Sequence, residues 1–425
     1  MAESTLKTRL AAWPVALVLA VIVLLPFGRS AEAPIVLGAL AALVLLARGR
    51  LDWRRDASRW VLALFACYWI PALVSGLGAV EPGKTWSTVG VTLRFLPFAL
   101  FTAWALRRPS SWRAVNATIA VVVLLWLLDA YVQMASGHSL GGAADKERLS
   151  GIFGAGNLKL GPTLAVLSPF VLLAARTRFG LRGLLLAFAV LTPPILLAGS
   201  RAAWLGYALV CLLIAWHETR SKRRFALALL VLALGVAALG TLALRDSERF
   251  GARVERSLLA LRGTEAAVDE ASAGRLSIWS TALKMTAAHP LSGVGVRGFR
   301  YAYPKYASAN DRFVDTDGEV GASHAHQIVL EVLSETGLVG LAFWLAGAWF
   351  ALRAWRRAAP AARERALAPG LALVAMCFPL NTHLAFYSAW WGLLFWWLLA
   401  LYCAALGADE APAISKGPVS SRAAD

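Results

Sequence analysis

The run ALRRPSSWRAVNATIAVVVLLWLLDAYVQMASGHSL, Ala105–Leu140, decides what kind of chain this is. Three arginines, Arg107, Arg108 and Arg113, stand before an apolar stretch that starts near Ala114. That stretch runs for about 20 residues, the length a helix needs to cross the hydrocarbon core of a bilayer. The loop that follows has no basic cluster beside the apolar run. An apolar helix with arginines at one end only is both a membrane span and a statement of its orientation, because short cytoplasmic loops collect Lys and Arg.

The rest of the sequence repeats this unit. Of 425 residues, 59% are hydrophobic and 16% are charged, with mean hydropathy +0.62, whereas soluble domains carry about 25% charged residues. Apolar runs start near Leu10, Ala33, Trp60, Val89, Ala114, Leu160, Leu184, Ala202, Phe225, Leu338, Ala366 and Trp390. They predict an all-α, polytopic integral membrane protein of about twelve transmembrane helices. Barrel strands would alternate in polarity over about 10 residues, and these runs do not. The first run, Leu10 to Phe27, has no clear small-residue cleavage site and reads as a span.

Every second loop is basic. Lys7 and Arg9 precede the first span; Arg48 to Arg59 follow the second, Arg107 to Arg113 the fourth and Arg176 to Arg182 the sixth. Arg220 to Arg224 follow the eighth, and Arg353 to Arg365 the tenth. Both termini are therefore expected in the cytoplasm. The net charge of +17 sits mostly in these loops, so it reports topology and excludes nucleic acid as the partner it would otherwise suggest. The four cysteines, Cys67, Cys211, Cys377 and Cys403, lie far apart in apolar segments and read as small buried residues.

The organisation that follows is spans one to nine over 1–244, a large extracytoplasmic loop over 245–326, a loop-to-membrane helix with spans ten to twelve over 327–408, and a disordered cytoplasmic tail over 409–425. A second long loop covers about Ala135 to Lys159. Within the large loop, the stretch from about Arg275 to Ala288 has the spacing of an amphipathic helix, RDSERFGARVERSLLALRG has helical spacing, and Tyr301 to Gly321 reads as loop. The tryptophans of the last span, Trp390, Trp391, Trp396 and Trp397, read as interface anchors or lipid-facing bulk.

The chemistry is carried by charges that break the topology pattern. Arg201 lies between two spans with almost no loop to hold it in water; Arg148, Arg275, Arg297 and Arg300 lie in the two long loops. An ionisable group at membrane depth marks function by default. The arginine fork pairs with phosphate oxygens, so an outward-facing set suggests a lipid-linked phosphate or diphosphate, although such side chains also snorkel to ordinary lipid headgroups. His324 and His326 open the segment GASHAHQIVLEVLSETGLVG, Gly321–Gly340. They are either residues of a helix start or a general base stationed at the membrane surface. Glu331 and Glu335 follow at i, i+4, where Glu331 could orient a histidine, bind a sugar or simply line a polar helix face. The DTDG run at Asp315 reads as a turn without the later ligands of a calcium loop. No Walker loop, nucleophile elbow or HExxH motif is present, so nucleotide-driven, serine-hydrolase and zinc-protease readings have no support.

Four motifs in order then resemble one family. His326-Gln327, nine residues, Gly337, two residues and Gly340 is similar to the H-[NSQ]-x9-G-x2-G signature of the O-antigen ligases, and RAAWL, Arg201–Leu205, to their R-x3-L element. RLSGIFGAGN from Arg148 and GRLSIWSTALKMTAAHPLSGVG around Arg275 resemble two loops of the same family, with Gly156 where relatives often carry proline before Asn157. The resemblance implies a GT-C-like glycosyltransferase of the bacterial inner membrane, with its active site in the periplasm. It implies transfer of a glycan from undecaprenyl diphosphate to lipid A–core oligosaccharide, without metal, nucleotide or other cofactor. His326 would be the base, Arg201, Arg275 and Arg148 would bind the diphosphate, and His324 would contact the acceptor. An O-antigen polymerase needs the same arginines. A protein O-oligosaccharyltransferase would use a Ser or Thr acceptor, and a lipid-linked sugar transporter would share the helices. The absence of an inverted repeat and the placement of the key residues on one face rather than at the midplane oppose transport.

Overall fold

A computed structural model describes residues 2–143, 148–219, 221–246, 251, 255, 264, 269, 272–382 and 385–408. The first part of the large loop, RDSERFGARVERSLLALRG, and the tail from 409 fall almost wholly outside these residues. The described chain is mostly helix: α1 (Ala2–Leu24), α2 (Glu32–Ala47), α3 (Asp56–Ser75), α4 (Pro82–Thr92), α5 (Phe95–Ala105), α6 (Ser111–Ser136), α7 (Leu160–Leu197), α8 (Arg201–Thr219) and α9 (Lys222–Asp246). Then come α10 (Arg275–Ala288), α11 (Phe299–Tyr306), α12 (Ile328–Arg357), α13 (Pro360–Met376) and α14 (Ala389–Leu406). One two-residue hairpin, His138–Ser139 with Gly142–Ala143, interrupts the pattern. Among the described residues, eight stretches are long and apolar enough to cross a membrane, beside shorter apolar helices, and the chain is a polytopic membrane protein. Each of the twelve expected starts lies within a helix.

Two glycines fold long helices back on themselves. Straight, the 38 residues of α7 would span about 57 Å. Yet a β-carbon added to Gly161, near one end, would come 2.8 Å from the Ala198 methyl and 3.6 Å from that of Ala203, at and beyond the other end. The reversal is at Gly180 (φ 67°, ψ −155°), a conformation open in practice to glycine alone. Residues 160–179 and 181–197 are thus an antiparallel pair, the two spans expected from Leu160 and Leu184. Gly337 takes the same conformation within α12 (φ 65°, ψ −163°), and both corners carry a second glycine three residues on, Gly183 and Gly340.

The corner at Gly337 is filled by the turn 290–295. Leu338 N–H donates to Pro290 O at 2.8 Å and Val339 N–H to Leu291 O at 3.2 Å. In return Ser334 O and Glu335 O accept from Val294 and Gly295 N–H at 2.9 and 3.0 Å. Both broken helix ends thereby satisfy backbone groups that no intrahelical partner can reach. The fit leaves no room for side chains: a β-carbon on Gly337 would collide with Leu291 backbone, on Gly293 with Glu335 backbone, and on Gly340 with Thr336. The same turn reaches α3, through Val296 N–H to Ser75 Oγ (3.2 Å), and the stretch before and within α4, through Val80 N–H to Val294 O (2.9 Å) and Thr85 Oγ1 to Val296 O (3.1 Å).

The last helix corrects one expectation. Trp396 and Trp397 are fully buried and Trp391 is 7% exposed. Trp396 packs on Phe65, Tyr68 and Phe95, and Trp397 Nε1 donates to Val18 O at 2.9 Å. These tryptophans fill the bundle core rather than face lipid. The apolar run could not reveal this, because lipid tails and a protein interior are equally apolar surroundings. A second correction is α11, a helix where Tyr301 to Tyr306 were expected in a loop. Cys211 and Cys403 are buried as expected, Cys67 and Cys377 are only half-buried, and all four thiols are free.

Candidate active site

Arg201 is the first residue of α8. The preceding turn contains Gly199 (φ 69°) and Ser200, whose hydroxyl accepts from Ala203 N–H at 3.3 Å, the capping geometry that Ser offers a helix start. Trp204 Nε1 donates to Ile195 and Leu196 carbonyls at 3.2 Å each, tying the new helix to the one just ended. Arg275 likewise opens α10, after Ala273 and Gly274 in left-handed conformations. Trp279, four residues on and so on the same helical face, donates to Ala325 O at 3.1 Å. The residue it grips lies between the two histidines.

His326 sits in the left-handed region (φ 53°), which costs a non-glycine residue about 1–2 kcal/mol. Its Nδ1 is 2.8 Å from Thr382 O, in the loop between α13 and α14. A carbonyl can only accept, so Nδ1 carries the proton and donates, leaving Nε2 with the lone pair. His324, 9% exposed, lies with its ring 3.9 Å from that of His326 and its Nδ1 2.9 Å from Ser323 Oγ. The helix itself begins only at Ile328, capped by Gln327, whose side chain accepts from Leu330 N–H at 2.6 Å. The histidines therefore precede α12 rather than belong to it, and their stretch of chain is held by Trp279 and Thr382.

Electrostatics join the three expected groups. Burial lowers the Arg275 guanidinium to about 10, and the charge of Arg201 adds to the effect. Burial also lowers the imidazole of His326, the Thr382 carbonyl opposing and the Arg275 charge reinforcing the shift. A neutral imidazole beside Arg275, which in turn feels Arg201, is arranged to accept a proton where negative charge is also stabilised. Arg148 is placed less directly. Its neighbour Leu149 donates to Leu197 O at 3.3 Å, four residues before Arg201, but among the described residues no contact joins the Arg148 side chain to the other three. Asn157 acts locally, its amide donating to Phe153 O and its carbonyl oxygen accepting from Lys159 N–H, both at 3.1 Å.

The acidic residues form a second cluster. Glu331 and Glu335 are fully buried. Glu335 Oε2 accepts from the backbone N–H of Arg297, itself at φ 63°, at 2.9 Å. Glu331 faces the loop backbone at Phe386 and Tyr387. Glu331 does not orient His326, the role its sequence position allowed; the Thr382 carbonyl does. Arg297 belongs with these carboxylates, and Arg300 lies over the Tyr301 ring at 5.7 Å. Asp315 is a turn, its Oδ1 accepting from Glu319 and Val320 N–H, and the described residues hold no cluster of three metal-ligating side chains.

Sequence reading passed over three groups. Arg94 lies inside the fourth expected span, where its guanidinium forms a fork on Glu32 at 2.8 and 2.9 Å; an arginine inside LRFLPFALF was the available signal. Thr382 acts through its backbone and leaves no side-chain signature. Lys159, half-buried with its ammonium 4.8 Å above the Trp390 ring, has its pKa lowered by burial.

The fold and this arrangement define a polytopic helical membrane protein with a cluster of arginine and histidine side chains where the large loop packs on the helices. Residues 184–345 match the family described as O-Antigen ligase. The matched region contains Arg201, Arg275, His324 and His326 and both glycines of the α12 corner; Arg148, Lys159 and Thr382 lie outside it. No curated protein matches the chain.

Proposed function

We propose that the protein is an O-antigen ligase of the bacterial inner membrane. It transfers a glycan from undecaprenyl diphosphate to a sugar hydroxyl of lipid A–core oligosaccharide, on the periplasmic side, with both termini in the cytoplasm. The observation that carries this reading is the convergence of His326, Arg275 and Arg201, from three separate segments, inside the region that matches the ligase family.

The acceptor hydroxyl is a poor nucleophile until its proton is removed, and His326 Nε2 is the lone pair available to take it. The acceptor oxygen then bonds to the anomeric carbon as the carbon–oxygen bond to the diphosphate breaks. The bonding pair leaves with the diphosphate, whose growing charge Arg201 and Arg275 neutralise. Displacement from the opposite face inverts the anomeric centre. Arg148 serves the diphosphate from the rim, and His324 contacts the acceptor. The chemistry asks for no metal or nucleotide, since paired arginines supply the charge that a divalent ion supplies elsewhere. GT-C-like architecture, with a polytopic helical body and a loop-built site, fits the same reading.

The test is reconstitution of purified protein with undecaprenyl-diphosphate glycan and lipid A–core, in EDTA and without nucleotide. Glycan appearing on lipid A–core is the expected product. Glycan that lengthens on its own carrier would mean a polymerase, glycan on a Ser or Thr peptide a protein oligosaccharyltransferase, and movement of intact donor across the bilayer a transporter.

A further inference from the structure

Helices α7 and α8 start side by side. Gly161 packs where a β-carbon would lie 3.6 Å from the methyl of Ala203. Lys159 and Arg201 each stand two residues before that contact, so the starts are in register at the same end of the bundle. Both helices direct the positive ends of their dipoles the same way, which adds to the field of the two cationic side chains.

Lys159 is held in place for this position. Its backbone N–H is fixed by Asn157 Oδ1 at 3.1 Å, and its ammonium lies 4.8 Å over Trp390, whose Nε1 is anchored on Leu25 O at 3.3 Å. Among the described residues no carboxylate lies within ion-pair distance of it. A half-buried ammonium with no counter-charge is costly unless a ligand supplies one. Surface lysines normally avoid this by extending into water.

We propose that Lys159 binds the second phosphate of the donor diphosphate, the one farther from the sugar, while Arg201 and Arg275 hold the first. This rests on the donor reading given above. It adds a reason for the enzyme to prefer a diphosphate carrier to a monophosphate one: only the diphosphate spans both subsites. It also gives the loop containing Asn157 a purpose, since that loop sets the Lys159 backbone.

The experiment titrates purified protein in detergent with farnesyl diphosphate and, separately, farnesyl monophosphate. Lys159→Met keeps the aliphatic stem over Trp390 and removes the charge; Lys159→Arg restores a charge; Arg201→Ala reports on the first subsite. Wild type should prefer the diphosphate. Lys159→Met should weaken diphosphate binding about tenfold, the loss expected of one charge-assisted hydrogen bond, and leave monophosphate binding unchanged. Lys159→Arg should keep the preference. Equal weakening of both ligands, or an intact preference beside a lowered melting temperature, would show Lys159 to be structural and overturn the inference. If Arg201→Ala left both affinities at the wild-type value, or wild type bound neither ligand, the donor reading itself would fall and this inference with it.

Discussion

For a single residue, the decisive matter is which form of His326 is present. Burial and Arg275 lower its pKa below the ordinary value of about 6.5. A general base works in its neutral form, so activity must be lost as pH falls through the folded pKa and be complete above it. The rising limb of kcat/KM is therefore expected below pH ~6.5. Bound diphosphate brings negative charge to the same site and favours the imidazolium, so the limb of kcat should lie at higher pH than that of kcat/KM. A pH–rate profile at varied donor concentration checks both. Trp279 offers a second residue-level test. Trp279→Phe removes the donor to Ala325 O but keeps the ring; the freed carbonyl should cost about 1–3 kcal/mol, partly as misplacement of His326. Turnover should fall about tenfold with donor binding unchanged. His326 could be singled out from sequence because its spacing to Gly337 and Gly340 resembles the family signature. The group that orients it could not, because Thr382 contributes a carbonyl from 56 positions away.

Among the elements, the two glycine corners make opposite predictions from the same backbone angles. At Gly180 a β-carbon would meet nothing within 4 Å, so Gly180→Ala should cost only its backbone conformation, about 1–3 kcal/mol. At Gly337 the same substitution adds a collision with Leu291 backbone, which is itself bonded to the helix it would have to leave. Gly337→Ala should lower the melting temperature in detergent several times more than Gly180→Ala, or abolish folding. Similar shifts for both would show that the turn 290–295 does not lock the corner. FGLRG and TGLVG are alike in sequence at these corners, yet only the second sits against an inserted turn. That difference is tertiary, and no local pattern announces it.

For the whole molecule, hydropathy revealed where helices lie but not which of them form the core. The last helix and α9 are similar apolar runs, yet α14 is packed on nearly every side and the apolar window of α9 has no buried residue. Bilayer and core are both apolar, so the distinction rests on shape and on hydrogen bonds such as Trp397 to Val18 O. The proposed orientation rests on loop charge and has its own test. In a background without the native cysteines, Asp317→Cys in the large loop should react with a membrane-impermeant maleimide in cells whose outer membrane alone is permeable. Arg223→Cys, in the basic loop before α9, should react only after the inner membrane is opened. The reverse labelling would place the site in the cytoplasm and remove the lipid-linked donor's periplasmic chemistry.

All of this turns on His326 Nε2 taking the acceptor proton. That step is tested most directly by single-turnover transfer from saturating undecaprenyl-diphosphate glycan to lipid A–core with His326→Asn, because asparagine tolerates the left-handed backbone that alanine does not. Transfer should be slowed about 10²–10⁴-fold while donor affinity and melting temperature stay near wild type. Transfer at the wild-type rate would contradict a general-base role and return His326 to a structural residue at a helix start.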